Sequence, residues 1–155
     1  MSNVPVTAMA PVRILVVDDY QDSRRWTCSK LGAHEQLQVV GEAVDGLDAI
    51  EKAWELIPDL ILMDIGLPDL NGIDAARRIC HLLPSTKILF LTQNVDVDVV
   101  KAAMSNGARG YIVKADAASE LLPALEAVMR GERFVSARFN GLRRTARVGA
   151  NPYLT

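Results

Sequence analysis

Asp64 closes the apolar run Leu60-Ile61-Leu62-Met63, and Ile65-Gly66-Leu67-Pro68-Asp69-Leu70-Asn71-Gly72 follows at once. A carboxylate at the carboxyl end of a buried strand, just ahead of a turn rich in Pro and Gly, stands where open α/β sheets place their chemistry. A second apolar run, Arg13 to Val17, ends in the adjacent carboxylates Asp18 and Asp19. If the two strands are parallel neighbours, three acids converge at one sheet edge, and such a cluster is tolerated chiefly when a cation neutralises it. Hard oxygen ligands that are few and leave room for water suit Mg2+ better than zinc or copper. Capping of the next helix accounts for one of Asp18 and Asp19, but neither for the doubling nor for Asp64.

Two later runs end differently: Lys87 to Leu91 leads into Thr92, and Gly110-Tyr111-Ile112-Val113 leads into Lys114. A hydroxyl and an ammonium beside the acids make a site for a transferred anion, and phosphoryl is the natural candidate. Taken singly, a strand-terminal Thr is more often a turn residue and a lone Lys more often faces solvent. The set of four strand ends carries the argument.

Holding these ends together requires a particular order of elements. The spacing predicts a helix over Asp22 to Leu31 and a short strand over Leu37 to Gly41. Asp45 then caps a helix to Leu56 stopped by Pro58, Asn71 caps Ile73 to Leu83 ahead of Pro84, and Asp96 caps a helix closing at Gly107. Ser119 is the expected N-cap of the last helix. Pro123 would then fall at its fourth position, where no intrahelical bond is lost, and Gly131 would end it. Val95, Val97, Val99 and Val100 crowd the start of the fourth helix with β-branched residues, which either fray its first turn or pack on the sheet.

Five strands alternating with five helices predict an α/β fold, a doubly wound five-stranded parallel sheet of flavodoxin-like order 2-1-3-4-5, although the sequence permits other orders. In that order Asp18, Asp19, Asp64, Thr92 and Lys114 meet beside the switch point between strands one and three. The first and last helices then share a face and separate Cys28 from Cys80.

The 155 residues, 50% hydrophobic and only 5% aromatic, suffice for one aliphatic core and one domain. No run reaches the ~18 apolar residues of a membrane span. Met1 to Pro11 has neither the charged start nor the apolar stretch of a signal peptide, so a soluble cytoplasmic protein with no membrane partner is expected. Cys28 and Cys80 lack metal or redox spacing and read as reduced thiols, and neither His has a second ligand at metal spacing. Residues 1–129 hold 11 Lys or Arg against 18 Asp or Glu, a formal −7, whereas residues 130–155 hold six Arg against Glu132, a formal +5. Such a tail could contact nucleic acid, dock on the acidic body or link to something further on. Without aromatic interleaving or a nucleic-acid motif, docking or linking is favoured. The division expected is a disordered N-terminal tail at 1–11, a folded body at 12–131, and a basic tail or linker at 132–155. In the last, Ser136 could cap a short helix presenting Phe139, Leu142 and Ala146, weakened by Gly141.

With Asp18-Asp19, Asp64 and its Leu67-Pro68-Asp69-Leu70-Asn71-Gly72 turn, Thr92, Tyr111 and Lys114 in this order, the chain resembles a response-regulator receiver domain of two-component signalling, over about residues 12–131. The stretch Gly110 to Lys114 and the last helix look most like receivers that precede a helix-turn-helix DNA-binding domain. The resemblance implies a phosphorylation-activated switch, not an enzyme in the ordinary sense, though self-phosphorylation from small donors and autodephosphorylation go with it. Asp64 would accept a phosphoryl group from a phosphohistidine of a sensor histidine kinase. Asp19, Asp64 and the Gly66 carbonyl would ligate Mg2+ directly, and Asp18 largely through water. Lys114 would pair with the phosphoryl oxygens, Thr92 would donate its hydroxyl, and Tyr111 would rotate inward. Homodimerisation on phosphorylation, and DNA contact through an output domain outside these residues, are the implied downstream events.

Three positions depart from the family pattern. Gln93 stands where a small residue is usual and could crowd the phosphoryl pocket. Gly66 gives attacking water no side chain to position it. Ala115 replaces a frequent proline, so a cis peptide before it would cost ~3 to 4 kcal/mol instead of about one. None removes an essential group. Among competing readings, a phosphatase of haloacid-dehalogenase type would want a second acid at Gly66 and a cap. A flavin or nucleotide module would want a Gly-rich or hydroxyl-rich loop where Asp18-Asp19-Tyr20-Gln21-Asp22 stands. A phosphate-independent, receiver-like adaptor is the remaining alternative.

Overall fold

In the computed structural model, residues 10–141 are described. The expectations for residues 1–9 and 142–155, including a helix face with Leu142 and Ala146, lie outside the described residues. The order is β1 (Val12–Val17), α1 (Gln21–Gly32), β2 (Leu37–Ala43), α2 (Gly46–Leu56), β3 (Leu60–Met63), α3 (Gly72–Leu82), β4 (Lys87–Thr92), α4 (Val97–Ser105), β5 (Gly110–Val113), α5 (Ala117–Met129) and β6 (Phe134–Val135). All strands pair in parallel in the order β2-β1-β3-β4-β5-β6.

The five-stranded expectation is thus corrected to six. β6 has two residues, too few for a period-two pattern to register in sequence. It lies in the stretch 132–155, where Phe134–Val135 cover the outer edge of β5. An uncovered β5 would leave a fully buried strand as an open edge.

β3 and β5 are buried along their whole length, as strands covered on both faces must be. Alternate residues feed two cores. Leu15, Val17, Ile61, Met63, Ile88, Phe90 and Tyr111 pack with small and apolar residues of α2, α3 and α4, among them Ala49, Ala75, Ile79 and Val100. Ile14, Val16, Leu60, Leu62, Leu89, Leu91 and Ile112 pack instead with Leu31 of α1 and Leu121, Leu125 and Val128 of α5. Cys80 borders the first core and Cys28 the second, on opposite faces as expected.

Asp45, Asn71 and Asp96 all cap their helices, accepting from the N–H of Asp48, Asp74 and Asp98 at 2.7, 3.0 and 2.9 Å. Ser119 does not. The backbone winds into a 3-10 turn over Lys114–Asp116 that runs straight into α5, so the helix has begun before Ser119 is reached. The Ser119 hydroxyl donates back to the Asp116 carbonyl at 3.3 Å, and Pro123 lies inside the helix, where its missing N–H forfeits an intrahelical bond. Gly131, with φ of 88°, ends α5 as expected, and no described peptide bond is cis, Lys114–Ala115 included. Around the start of α4, Val95 and Val97 face solvent while Val100 is buried, so only part of the valine cluster packs on the sheet.

Two glycines bring the starts of α2 and α3 against the loop after β3. A Cβ on Gly46 would lie 2.0 Å from the Leu70 carbonyl oxygen, and one on Gly72 would lie 2.2 Å from the Asp64 carbonyl oxygen. Since both obstacles are backbone, Gly72→Ala should cost about 1–3 kcal/mol by overpacking. The check is the urea midpoint at constant m, and an unchanged midpoint would contradict this placement of α3.

Candidate functional site

Register builds the site. Val17 lies opposite Met63 in the β1–β3 ladder, so the next residues, Asp18 and Asp64, emerge side by side. The ladder continues one step past the strands: Asp64 N–H donates to the Val17 carbonyl and Asp18 N–H to the Ala43 carbonyl, both at 3.0 Å. Thr92 pairs with Val113 at the end of β4–β5, which brings Lys114 to the same edge.

Lys114 Nζ lies 2.9 Å from Asp18 Oδ2 and 2.9 Å from Asp64 Oδ2, donating to both. Burial alone would lower the pKa of this ammonium. The hydrogen bonds and charges of Asp18 and Asp64 outweigh that effect and hold it above its ordinary value. The other oxygen of Asp64 accepts from the N–H of Ile65 at 2.7 Å and of Gly66 at 3.3 Å, and Asp18 Oδ1 accepts from Tyr20 N–H at 2.9 Å. Arg24, which no sequence pattern singles out, donates to the Asp18 carbonyl at 2.8 Å and to Glu42 at 2.9 Å, tying α1 to this edge.

Carboxylate oxygens of Asp18, Asp19 and Asp64 lie within 4.8 Å of one another. One ammonium cannot neutralise three carboxylates. Asp18 is buried whereas Asp19 is exposed, so an all-oxygen donor set opens to water on one side, which fits a hard divalent cation such as Mg2+. Asp19, Asp64, Gly66, Thr92, Gln93 and Lys114 line a single open cleft of about 860 Å³. Gln93 is an exposed part of its wall and leaves the cleft open.

Tyr111 does not line the cleft. Its ring is fully buried between Phe90 and Phe139, and its hydroxyl donates to the Asn94 carbonyl at 2.8 Å. Asn94 in turn donates its N–H to Thr92 Oγ1 at 3.4 Å, so Tyr111 and Thr92 meet through this loop. Asn94 escapes a reading of the sequence because its backbone, not its side chain, makes both contacts.

A parallel sheet of this order, with an acid cluster bridged by a lysine at its switch point, defines a flavodoxin-like α/β domain. The chain belongs to the response regulator receiver domain family, whose model matches residues 14–126. It is therefore a receiver domain of two-component signalling. It is 35% identical over 130 residues to the transcriptional regulatory protein LiaR of Bacillus subtilis, covering 84% of this chain and 62% of that protein. It is 37% identical over 127 residues to the response regulator protein VraR of Staphylococcus saprophyticus, covering 82% of this chain and 61% of VraR. This chain thus spans about three-fifths of the length of these relatives. Among solved structures, a LuxR-family two-component response regulator from Aurantimonas sp. SI85-9A1 superposes with a TM-score of 0.82 at 31% identity, covering 90% of this chain and 99% of that one. The isolated receiver domain of RcsB from Salmonella enterica, determined with the phosphomimetic BeF3−, gives 0.76 at 25% identity, covering 81% and 94%. Among the described residues no helix is long and apolar enough to cross a membrane.

Burial first, then the charges of Asp64 and Asp96, raises the pKa of the Tyr111 phenol above its ordinary 10.0. A raised folded-state pKa contributes stability that is complete below the unfolded value and lost as pH climbs beyond it. Tyr111 therefore adds nothing to the pH dependence below about 10 and contributes a loss of stability above. Tyr111→Phe should cost about 1 kcal/mol at neutral pH through the missing hydrogen bond. It should also flatten the fall of the urea midpoint above pH 10, and an unflattened fall would show that the phenol is hydrated.

Proposed function

We propose that Asp64 accepts a phosphoryl group from a phosphohistidine of a sensor histidine kinase. The observation that carries this reading is Lys114 Nζ, placed 2.9 Å from Asp64 and from Asp18, where it can follow an Asp64 oxygen as its charge passes to a phosphoryl group. A carboxylate oxygen of Asp64 would bond to phosphorus as the phosphorus–nitrogen bond breaks, leaving an acyl phosphate and a free imidazole. Asp18, Asp19, Asp64 and the Gly66 carbonyl would hold Mg2+, which when bound supplies the positive charge the cluster lacks. Thr92 would turn its hydroxyl to the phosphoryl oxygens, loosening its contact with Asn94. The inward rotation expected of Tyr111 is already complete here, since its ring is buried, so its part would be to hold the Asn94 carbonyl and couple that loop to Thr92.

Residues 12–131 would be the receiver body and 132–155 the connection to an output domain. The names of the relatives support a transcriptional regulator: LiaR is a transcriptional regulatory protein, and RcsB, 25% identical over 81% of this chain, has been determined as dimers bound to DNA. Homodimerisation on phosphorylation, with DNA contacted through the output domain, follows from that likeness. A phosphatase reading gains nothing, since Gly66 offers no second acid.

The test is intact mass after incubation with acetyl phosphate, with and without Mg2+, beside Asp64→Asn. A single phosphoryl adduct that needs Mg2+ and is absent from the variant is expected. No adduct in the wild type while Mg2+ still binds would favour the phosphate-independent adaptor.

A further inference from the structure

Covering the edge of β5 requires only the backbone pairing of Gly110 with Phe134 and Tyr111 with Val135. The segment that follows does more. Ser136 N–H donates to the Tyr111 carbonyl at 2.9 Å, and its hydroxyl, wholly buried, accepts from the N–H of Val113 at 2.9 Å, the residue just before Lys114. The same hydroxyl donates to Glu120 at 2.6 Å, and the second Glu120 oxygen accepts from Ala137 N–H at 2.9 Å. Arg138 grips both oxygens of Asp116, at 2.8 and 2.9 Å, and Asp116 ends the 3-10 turn that Lys114 begins. Phe139 sets its ring edge-on to Tyr111, with centroids 6.1 Å apart at 82°. One short segment is fastened just before Lys114, just after it, and against the Tyr111 ring.

We propose that Phe134–Phe139 positions Lys114 and Tyr111 for the phosphoryl site and reciprocally senses its occupancy, so that docking of this segment carries the signal into the chain beyond. The inference rests on the Asp64 reading. Lys114 and Tyr111 are the parts of that site that reach β5, and Ser136, Arg138 and Phe139 each touch β5 or the turn Lys114 opens. A change at Asp64 that moves Lys114 or the Tyr111 ring alters how well the segment docks. Linkage requires that undocking the segment alter affinity at Asp64 by the same factor. The aromatic column Phe90–Tyr111–Phe139 gives the path a packed, discrete structure instead of a loose one.

The test uses the full chain with Mg2+ and beryllofluoride as the phosphoryl probe. Probe binding is followed at the Ile65 and Gly66 amides, and hydrogen exchange is read amide by amide at Ser136, Ala137 and Phe139. The expected change in exchange in this segment is about fivefold or more, the low end of ordinary coupling, with none at Val12 and Leu37 on the far side of the sheet. Ser136→Ala should weaken half-saturation by the probe by a similar factor, while Ser136→Thr, which keeps the hydroxyl, restores it. Arg138→Ala, an exposed change that spares the core, should weaken the probe in the same direction. Unchanged exchange in 134–139 with the probe bound would reduce the segment to edge cover and overturn the inference alone. Failure of the wild type to bind the probe at saturating Mg2+ would overturn the Asp64 reading and this inference with it.

Discussion

A single ammonium set among three carboxylates is the constraint around which this molecule is arranged. Asp18 and Asp64 sit side by side at a partly buried edge, and Lys114 answers both through two equal contacts. The answer is incomplete, because Asp19 adds a third negative charge at the exposed rim. The residual charge makes the site receptive to a metal, and the ammonium makes it receptive to an anion. A cleft that is both at once suits the transfer of a phosphoryl group.

The fold serves that balance by register. β1 and β3 end level with each other, β4 and β5 end level two residues further on, and backbone hydrogen bonds carry the ladder one residue beyond β1 and β3 to fix the stems of Asp18 and Asp64. Both faces of the sheet are filled by aliphatic side chains and by alanines from the helices, which lets α2 and α3 come close enough that glycine is required where they begin. Phe90, Tyr111 and Phe139 form a column running from the centre of the sheet towards its β6 edge, and the side-chain hydroxyl of Tyr111 finds the Asn94 carbonyl in the loop that also contacts Thr92.

Much of this was legible in the residues. Strand ends carrying Asp18, Asp64, Thr92 and Lys114 were readable because long apolar runs stop abruptly at a charged or hydroxyl residue. Asp45, Asn71 and Asp96 were readable as caps because each precedes an amphipathic stretch. Ser119 misled because a capping signal says nothing of a helix that has already started, and the 3-10 turn at Lys114 supplies that start. β6 was hidden by its length, and the roles of Ser136, Glu120 and Arg138 by their distance in sequence from the residues they hold. Asn94 and Arg24 act on or through the backbone, which leaves no pattern of side-chain types to find.

The most direct measurement on the central claim is the position of the acyl phosphate itself. Borohydride reduces an acyl phosphate on aspartate to homoserine, and peptide mapping of the reduced, phosphorylated chain locates it. Homoserine at position 64 alone, with yield falling when Lys114 is replaced by Met, is the predicted result. Homoserine at position 18 or 19, or yield indifferent to Lys114, would contradict the account.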